Sequence, residues 1–198
     1  MWDQKYATEA YVYGTEPTGF LRAQADYLTP GAKVLAVADG EGRNSVFLAE
    51  QGLEVTAMDG STVALDKARR LAAAHGVEVA YHHGDIMRWN WMPGAFDLVV
   101  AVFIQFLGPA ARAEVFEGMK RTLKPGGLIL LHGYRPEQLQ YGTGGPPVAE
   151  FMYTEQQLAG DFADMKILRL KAYDREIHEG IGHAGMSALI DLVARKPG

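Results

Sequence analysis

The 198-residue sequence predicts an α/β fold built on an open, largely parallel sheet, and three observations predict it. Short apolar runs and helical patterns alternate along most of the chain, which implies right-handed crossovers between parallel strands. The run from Phe96 to Phe103 is almost wholly apolar after Asp97, as expected of a central strand covered on both faces. The stretch from Val34 to Asn44, Val-Leu-Ala-Val-Ala-Asp-Gly-Glu-Gly-Arg-Asn, reads as a buried strand that enters a tight glycine turn and opens a helix. Without a Cβ at Gly40 or Gly42, backbone can approach a ligand closely there.

Residues 1–30 form a lead-in segment rich in Trp and Tyr. Pro17 suits a first helical turn, and Leu21, Ala25 and Leu28 keep helical spacing up to the stop at Pro30-Gly31. After the first strand, Arg43 to Gln51 is helical and ends at Gly52, a left-handed cap residue. Glu54 to Met58 is a second strand. Ser61 then caps an Ala- and Leu-rich helix that ends at His75-Gly76. Val77 to His82 reads as strand three, Met87 to Pro93 as a short helical or loop segment, and Pro109 to Leu123 as a helix stopped by Lys124-Pro125-Gly126-Gly127. Leu128 to Tyr134 is strand five. Pro136 to Pro147 is too loop-rich for a crossover helix, whereas Thr154-Glu155-Gln156-Gln157 matches a capping box. Two last strands, near Lys166 to Asp174 and Met186 to Ala194, leave no residues for a helix between them and read as an antiparallel hairpin.

Length and composition suit one domain over residues 1–198. There is no cysteine, so thiolate zinc sites, disulfides and a cysteine nucleophile are excluded. The net charge of −5 and the absence of a basic stripe disfavour a nucleic-acid partner and favour a small molecule. No leader pattern and no bilayer-length apolar run is present, so the expected location is cytoplasmic, with no membrane partner. Oligomeric state is left open.

The chemistry centres on acids. Asp59 ends the second strand about 20 residues after the glycine turn, the offset of a carboxylate that accepts ribose hydroxyls. Asp39 and Glu41 bracket Gly40, and Ser45 stands where a dinucleotide fingerprint has its third glycine. Two carboxylates would repel a pyrophosphate but are compatible with S-adenosylmethionine, whose sulfonium and ammonium are cations; alternatively, either acid faces water. Asp85 is placed to accept from the adenine amine with Ile86 against the ring, or to cap a helix.

Taken together, Ala38-Asp39-Gly40-Glu41-Gly42-Arg43-Asn44, Met58-Asp59-Gly60-Ser61, Gly84-Asp85-Ile86, Phe96-Asp97-Leu98-Val99 and Leu123-Lys124-Pro125-Gly126-Gly127 resemble class I S-adenosylmethionine-dependent methyltransferases over nearly the whole chain. Within that class the chain resembles small bacterial proteins related to the tellurite-resistance methyltransferases, through its leading Trp-Asp and the Tyr-Gly-x-x-Pro-x-x-Phe-Leu stretch from Tyr13 to Leu21. The resemblance implies a Rossmann-like, doubly wound, seven-stranded sheet of order 3-2-1-4-5-7-6 with strand 7 antiparallel. It implies S-adenosylmethionine as cofactor and S-adenosylhomocysteine as product. It also implies cofactor contacts from Ala38, Asp39, Gly40, Gly42, Asn44, Asp59, Gly60, Ser61, Asp85, Ile86 and Val102. Two positions depart from the family: its first-strand acid is Ala36 here and its first motif glycine is Ala38, which makes Asp39 the candidate partner of the ammonium.

Methyl transfer needs an in-line approach and exclusion of water, which apolar lids can supply. Tyr6, Tyr13, Phe106 and the Tyr141 to Pro147 loop are the lid and substrate candidates. Among His132, Tyr134, His178 and His183, the last is the candidate base, and the competing reading is a histidine bonding loop backbone. His82 and His83 have no carboxylate spacing that would make a metal site. The expected activity is methyl transfer to a small acceptor, such as a thiol or chalcogen compound. The alternatives are an acceptor in protein or RNA, a binding module without catalysis and, more remotely, a nicotinamide oxidoreductase.

Overall fold

The computed structural model describes residues 2–198, so Met1 lies outside it. Seven strands form one sheet in the order β3-β2-β1-β4-β5-β7-β6. They are β1 (Lys33–Val37), β2 (Glu54–Asp59), β3 (Ala80–His83), β4 (Phe96–Val102), β5 (Leu123–Tyr134), β6 (Lys166–His178) and β7 (Ala184–Arg195). The first five pair in parallel, and β7 runs antiparallel to both β5 and β6. The helices are α1 (Trp2–Tyr6), α2 (Gly19–Ala23), α3 (Arg43–Glu50), α4 (Thr62–His75), α5 (Pro109–Thr122), α6 (Gln138–Tyr141) and α7 (Glu155–Asp161).

The central strands are apolar because both faces are covered. Leu35, Val37, Val99, Ala101, Ile129 and Leu131 pack with Phe116, Met119, Leu158 and Phe162 of α5 and the α7 region. Their sequence neighbours Val34, Leu98, Val100, Leu128 and Leu130 point the other way, onto Phe20, Leu21 and Leu48. The period of two across a doubly covered sheet accounts for the uninterrupted hydrophobic runs.

Several boundaries differ from expectation, each for a local reason. The lead-in helix is broken into α2 and a 3-10 turn at Ala25–Tyr27. Thr18, whose hydroxyl accepts from Leu21 N at 3.2 Å, caps α2, so Pro17 lies outside it. β3 starts at Ala80 rather than Val77 because Gly76 closes α4 in a left-handed conformation and Val77 N–H is spent on Ala72 O. β5 starts at Leu123, which pairs with Phe96 across an irregularity, rather than at Leu128. The final hairpin is longer at both ends, confining its loop to 179–183. Residues 135–153 hold α6 and a 3-10 turn at Ala149–Phe151, without a crossover helix. Thr154 caps α7 as its motif predicts, accepting from Gln157 N at 3.2 Å.

Two non-glycine residues have left-handed backbone: Ala38 (φ 48°), just past β1, and Phe103 (φ 56°), just past β4. They sit on neighbouring strands at the carboxyl edge, where a doubly wound sheet receives its ligands.

Candidate active site

A cavity of about 470 Å³ opens at the carboxyl ends of β1, β2 and β4. One wall comes from the glycine turn and the end of β2, with Ala38, Asp39, Gly40, Asn44, Asp59 and Gly60; another from Gly84, Asp85, Ile86 and Met87; and a third from Val102, Phe103, Phe106 and Leu107 past β4. Trp2, Tyr6, Tyr13 and His183 complete the lining. Residues from both ends of the chain therefore enclose a site whose floor is the first βαβ unit.

The acids have distinct environments. Asp59 accepts from Gly40 N through Oδ2 and from Ser61 N through Oδ1, both at 2.8 Å. Burial raises its pKa despite these bonds. Asp39 Oδ1 accepts from Ser45 N at 3.3 Å, but its Oδ2 is buried with no hydrogen-bond partner among the described residues. Burial first, with help from the neighbouring Asp59 charge, pushes the Asp39 carboxyl up to about 7. Such a group is stabilised by a cation placed against it. Ala36 lies mid-strand between Ala57 and Val100, so β1 itself offers no acid and Asp39 follows it on the turn. Asp85 lines the cavity while its Oδ1 caps Met87 N at 2.9 Å, which leaves its other oxygen uncommitted to the backbone.

Glu41 corrects the sequence reading. It neither meets water nor adds bare charge to the turn, because its carboxylate is buried in an ion pair with Lys67 at 2.6 Å. The electrostatic case against a pyrophosphate therefore rests on Asp39 and Asp59.

His183 is buried between aromatic rings, 4.4 Å from Tyr13, 4.2 Å from Phe103 and 5.5 Å from Tyr134 by centroid. Burial, and then the charges of Arg43, Lys5 and His132, hold its pKa well below 6.5. Its imidazole is neutral near pH 7, and Nδ1 has no partner among the described residues, so it is not a histidine bonding loop backbone through that atom. The other base candidates lie elsewhere. His132 Nδ1 pairs with buried Asp191 at 2.8 Å and its ring stacks on Phe20; Tyr134 is buried behind Phe103; His178 is exposed near Glu176.

Three predicted site residues are not brought to the cavity. Gly42 serves packing, since a Cβ there would lie 2.7 Å from Ala68 Cβ of α4. Ser61 caps α4 by accepting from Ala64 N and donates to Asp3. Tyr141 is exposed, outside the cavity lining, and donates to Asp174 at 3.2 Å. Trp2, Phe103, Leu107 and Arg43 are cavity residues that the sequence reading did not assign to the site. Phe103 ends the apolar β4 run at the ligand edge, a usable signal; Arg43, paired with Glu179 at 3.0 Å, had none. Among the described residues no three His, Asp or Glu side chains converge as a metal site, and no helix is long and apolar enough to cross a membrane.

Residues 34–127 match the methyltransferase domain family. An uncharacterized methyltransferase of Synechocystis sp. is 33% identical over 127 residues, 63% of this chain and 57% of that protein. The chain thus spans little more than half the length of that curated relative. In fold, the chain is similar to TehB from Haemophilus influenzae, with TM-score 0.73 and 22% identity over 98% of this chain and 65% of that one. It is also similar to a chain from work on the conversion of a disulfide bond into a thioacetal group during echinomycin biosynthesis, with TM-score 0.79 and 16% identity over 99% and 91%.

Proposed function

We propose that the protein transfers a methyl group from S-adenosylmethionine to a small-molecule acceptor, releasing S-adenosylhomocysteine. The observation that carries the reading is the buried, unpartnered Oδ2 of Asp39 on the wall of a cavity that also holds Asp59, a place that favours a cationic ligand without phosphate. The donor set fits the cofactor. Asp59 retains acceptor capacity for ribose hydroxyls, Asp85 and Ile86 would take the adenine amine and ring, and Asp39 would take the ammonium. When bound, S-adenosylmethionine supplies an electrophilic methyl group on a sulfonium.

The chain's own contribution is placement and exclusion of water. Trp2, Tyr6, Tyr13, Phe103 and Phe106 wall the cavity with rings, so the acceptor meets its partner in a low-dielectric space. Neutral His183 faces the same space and can accept a proton from a protic acceptor. A thiol or chalcogen acceptor suits this design, because in its thiolate or selenolate form it is already ionised and asks little of a base. The enclosure favours a small acceptor over a protein or RNA chain, and the net charge of −5 adds to the case against RNA. A cytoplasmic setting, reducing toward thiols, agrees with both.

Calorimetry with S-adenosylmethionine, S-adenosylhomocysteine and NAD tests the cofactor: heat is expected with the first two, and its absence would sink the proposal. A radiolabelled-methyl screen over thiols, chalcogen oxyanions, amines and phenols then identifies the acceptor.

A further inference from the structure

The methyl-transfer reading leaves Glu41 without a task. Its side chain is 2% exposed and that of its partner Lys67 is 3% exposed. Glu41 Oε2 accepts from Val12 N at 2.8 Å and from Tyr13 N at 3.3 Å. Lys67 Nζ donates to Ala10 O at 2.7 Å, and Tyr11 OH donates to Lys67 O at 3.0 Å. The paired side chains therefore hold Ala10, Val12 and Tyr13, and Tyr11 is tied to the Lys67 backbone. A buried ion pair is a weak source of net stability, since desolvation cancels much of its attraction. What it does supply is direction: it aims Ala10, Val12 and Tyr13 in a stretch that is neither strand nor helix.

The residue so aimed is Tyr13. Its ring lies 4.4 Å from that of His183, Lys5 Nζ sits 4.9 Å above it, and a Cβ on Gly182 would come within 2.4 Å of it. We propose that Glu41, through its pair with Lys67, is a positioning residue that holds Tyr13 against His183 and so forms the acceptor-side wall of the cavity. Its effect on turnover rests on the methyl-transfer reading; its geometry does not.

The test uses the full chain without ligand. The His183 ring is followed by NMR across pH, with His183→Gln assigning its signal. Around that ring lie Arg43, Lys5 and His132, the Tyr13 and Tyr134 rings, and the loop of Glu179, whose N–H bonds His183 O at 2.8 Å. In Glu41→Gln a buried ammonium is left without its charge partner, Tyr13 and Lys5 move off, and His183 is expected to titrate higher, toward about 6.5. Tyr13→Ala should reproduce that shift without touching the pair. The Glu41→Gln/Lys67→Met double variant should restore the low value, because an amide oxygen still accepts from Val12 and Tyr13 and no buried charge remains. Once an acceptor is known, Glu41→Gln should raise its KM about tenfold while S-adenosylhomocysteine affinity changes little. A folded Glu41→Gln protein with wild-type His183 titration, or a double variant that fails to restore it, overturns the proposal. Loss of cofactor binding by the wild type would instead overturn methyl transfer and leave the NMR result standing.

Discussion

Asp59 and Gly40 are joined by a 2.8 Å hydrogen bond from the Gly40 N–H to the Asp59 carboxylate. The bond ties the glycine turn after β1 to the end of β2 before any ligand is present. The second oxygen of Asp59 fixes Ser61, the cap of α4. One side chain thus sets the relative position of two neighbouring loops, and any ligand that uses it meets a prearranged acceptor.

Replacing Asp59 should therefore affect binding and folding together. Asp59→Ala is expected to weaken S-adenosylmethionine binding by about 1.5 to 3 kcal/mol, as for a lost charge-assisted bond, and to lower stability by about 1 to 3 kcal/mol through the stranded Gly40 and Ser61 donors. Calorimetry and denaturant melts read the two effects separately. An unchanged dissociation constant would remove Asp59 from the cofactor site.

Asp39 should make the protein pH-sensitive. Unfolded, its carboxyl ionises near 3.8, whereas folded it keeps its proton to about 7. Between those values the folded state binds the extra proton, so this group's contribution to stability falls as pH rises and is fully lost above about 7. Asp39→Asn should be more stable than wild type at pH 8, by an amount on the order of a few kcal/mol, and level with it near pH 4. A cationic ligand favours the ionised carboxylate, so S-adenosylmethionine should bind more tightly as pH rises through about 7. Calorimetry in buffers of different ionisation heat should show proton release on binding.

His183 gives the opposite pattern. Its folded pKa lies below the unfolded value near 6.5, so acid favours the unfolded state, and the stability associated with it declines as pH drops under 6.5. His183→Gln should flatten that decline. At saturating S-adenosylmethionine, kcat should stay level from pH 8 to 6.5, since the ring is already neutral. With an acceptor that must lose a proton, His183→Ala should lower kcat about 100-fold or more. With a thiolate or selenolate the loss should be small, and comparing the two acceptor types by kcat decides whether the ring moves a proton.

Ala38 carries backbone strain that glycine would relieve. A left-handed alanine costs roughly 1 to 2 kcal/mol, and glycine gives back about 0.5 to 1 kcal/mol in unfolded-chain entropy. Ala38→Gly is expected to stabilise the protein by up to about 1 kcal/mol, measured by denaturation. A loss of stability would mean that the alanine methyl makes contacts worth more than the strain.

The sequence made the first βαβ unit readable because local rules govern it: β1, the turn at Gly40 and Gly42, and the end of β2 at Asp59 are each specified by adjacent residues. The elements that escaped are governed from a distance. Nothing near Glu41 reveals that Lys67, 26 positions on, takes its charge. Residues 175–178 look too polar for a strand, yet on an edge strand paired only with β7 polar side chains meet water without cost. The Tyr141 to Pro147 loop reads as a lid from its place over the carboxyl ends of the strands, and the bond from the Tyr141 hydroxyl to Asp174 of β6 joins residues 33 apart, beyond any local pattern. Trp2 and Arg43 reach the cavity through tertiary packing that no short-range pattern encodes.

The segment that roofs the cavity is also bonded to the last hairpin. Gly182 N donates to Val12 O at 2.9 Å, and Gly19 N donates to Glu179 across 160 residues. Residues made early in synthesis thus have docking partners made late, and these long-range closures form slowly because the intervening chain must first be ordered. The βαβ unit, with the Glu41–Lys67 pair that holds Val12 and Tyr13, can assemble as the chain emerges, but the roof closes against His183 only once β6 and β7 have paired. A chain interrupted before the hairpin would carry the glycine turn and Asp59 yet leave Tyr13 without its wall, so competence arrives at the end of folding rather than with the motif that announces it.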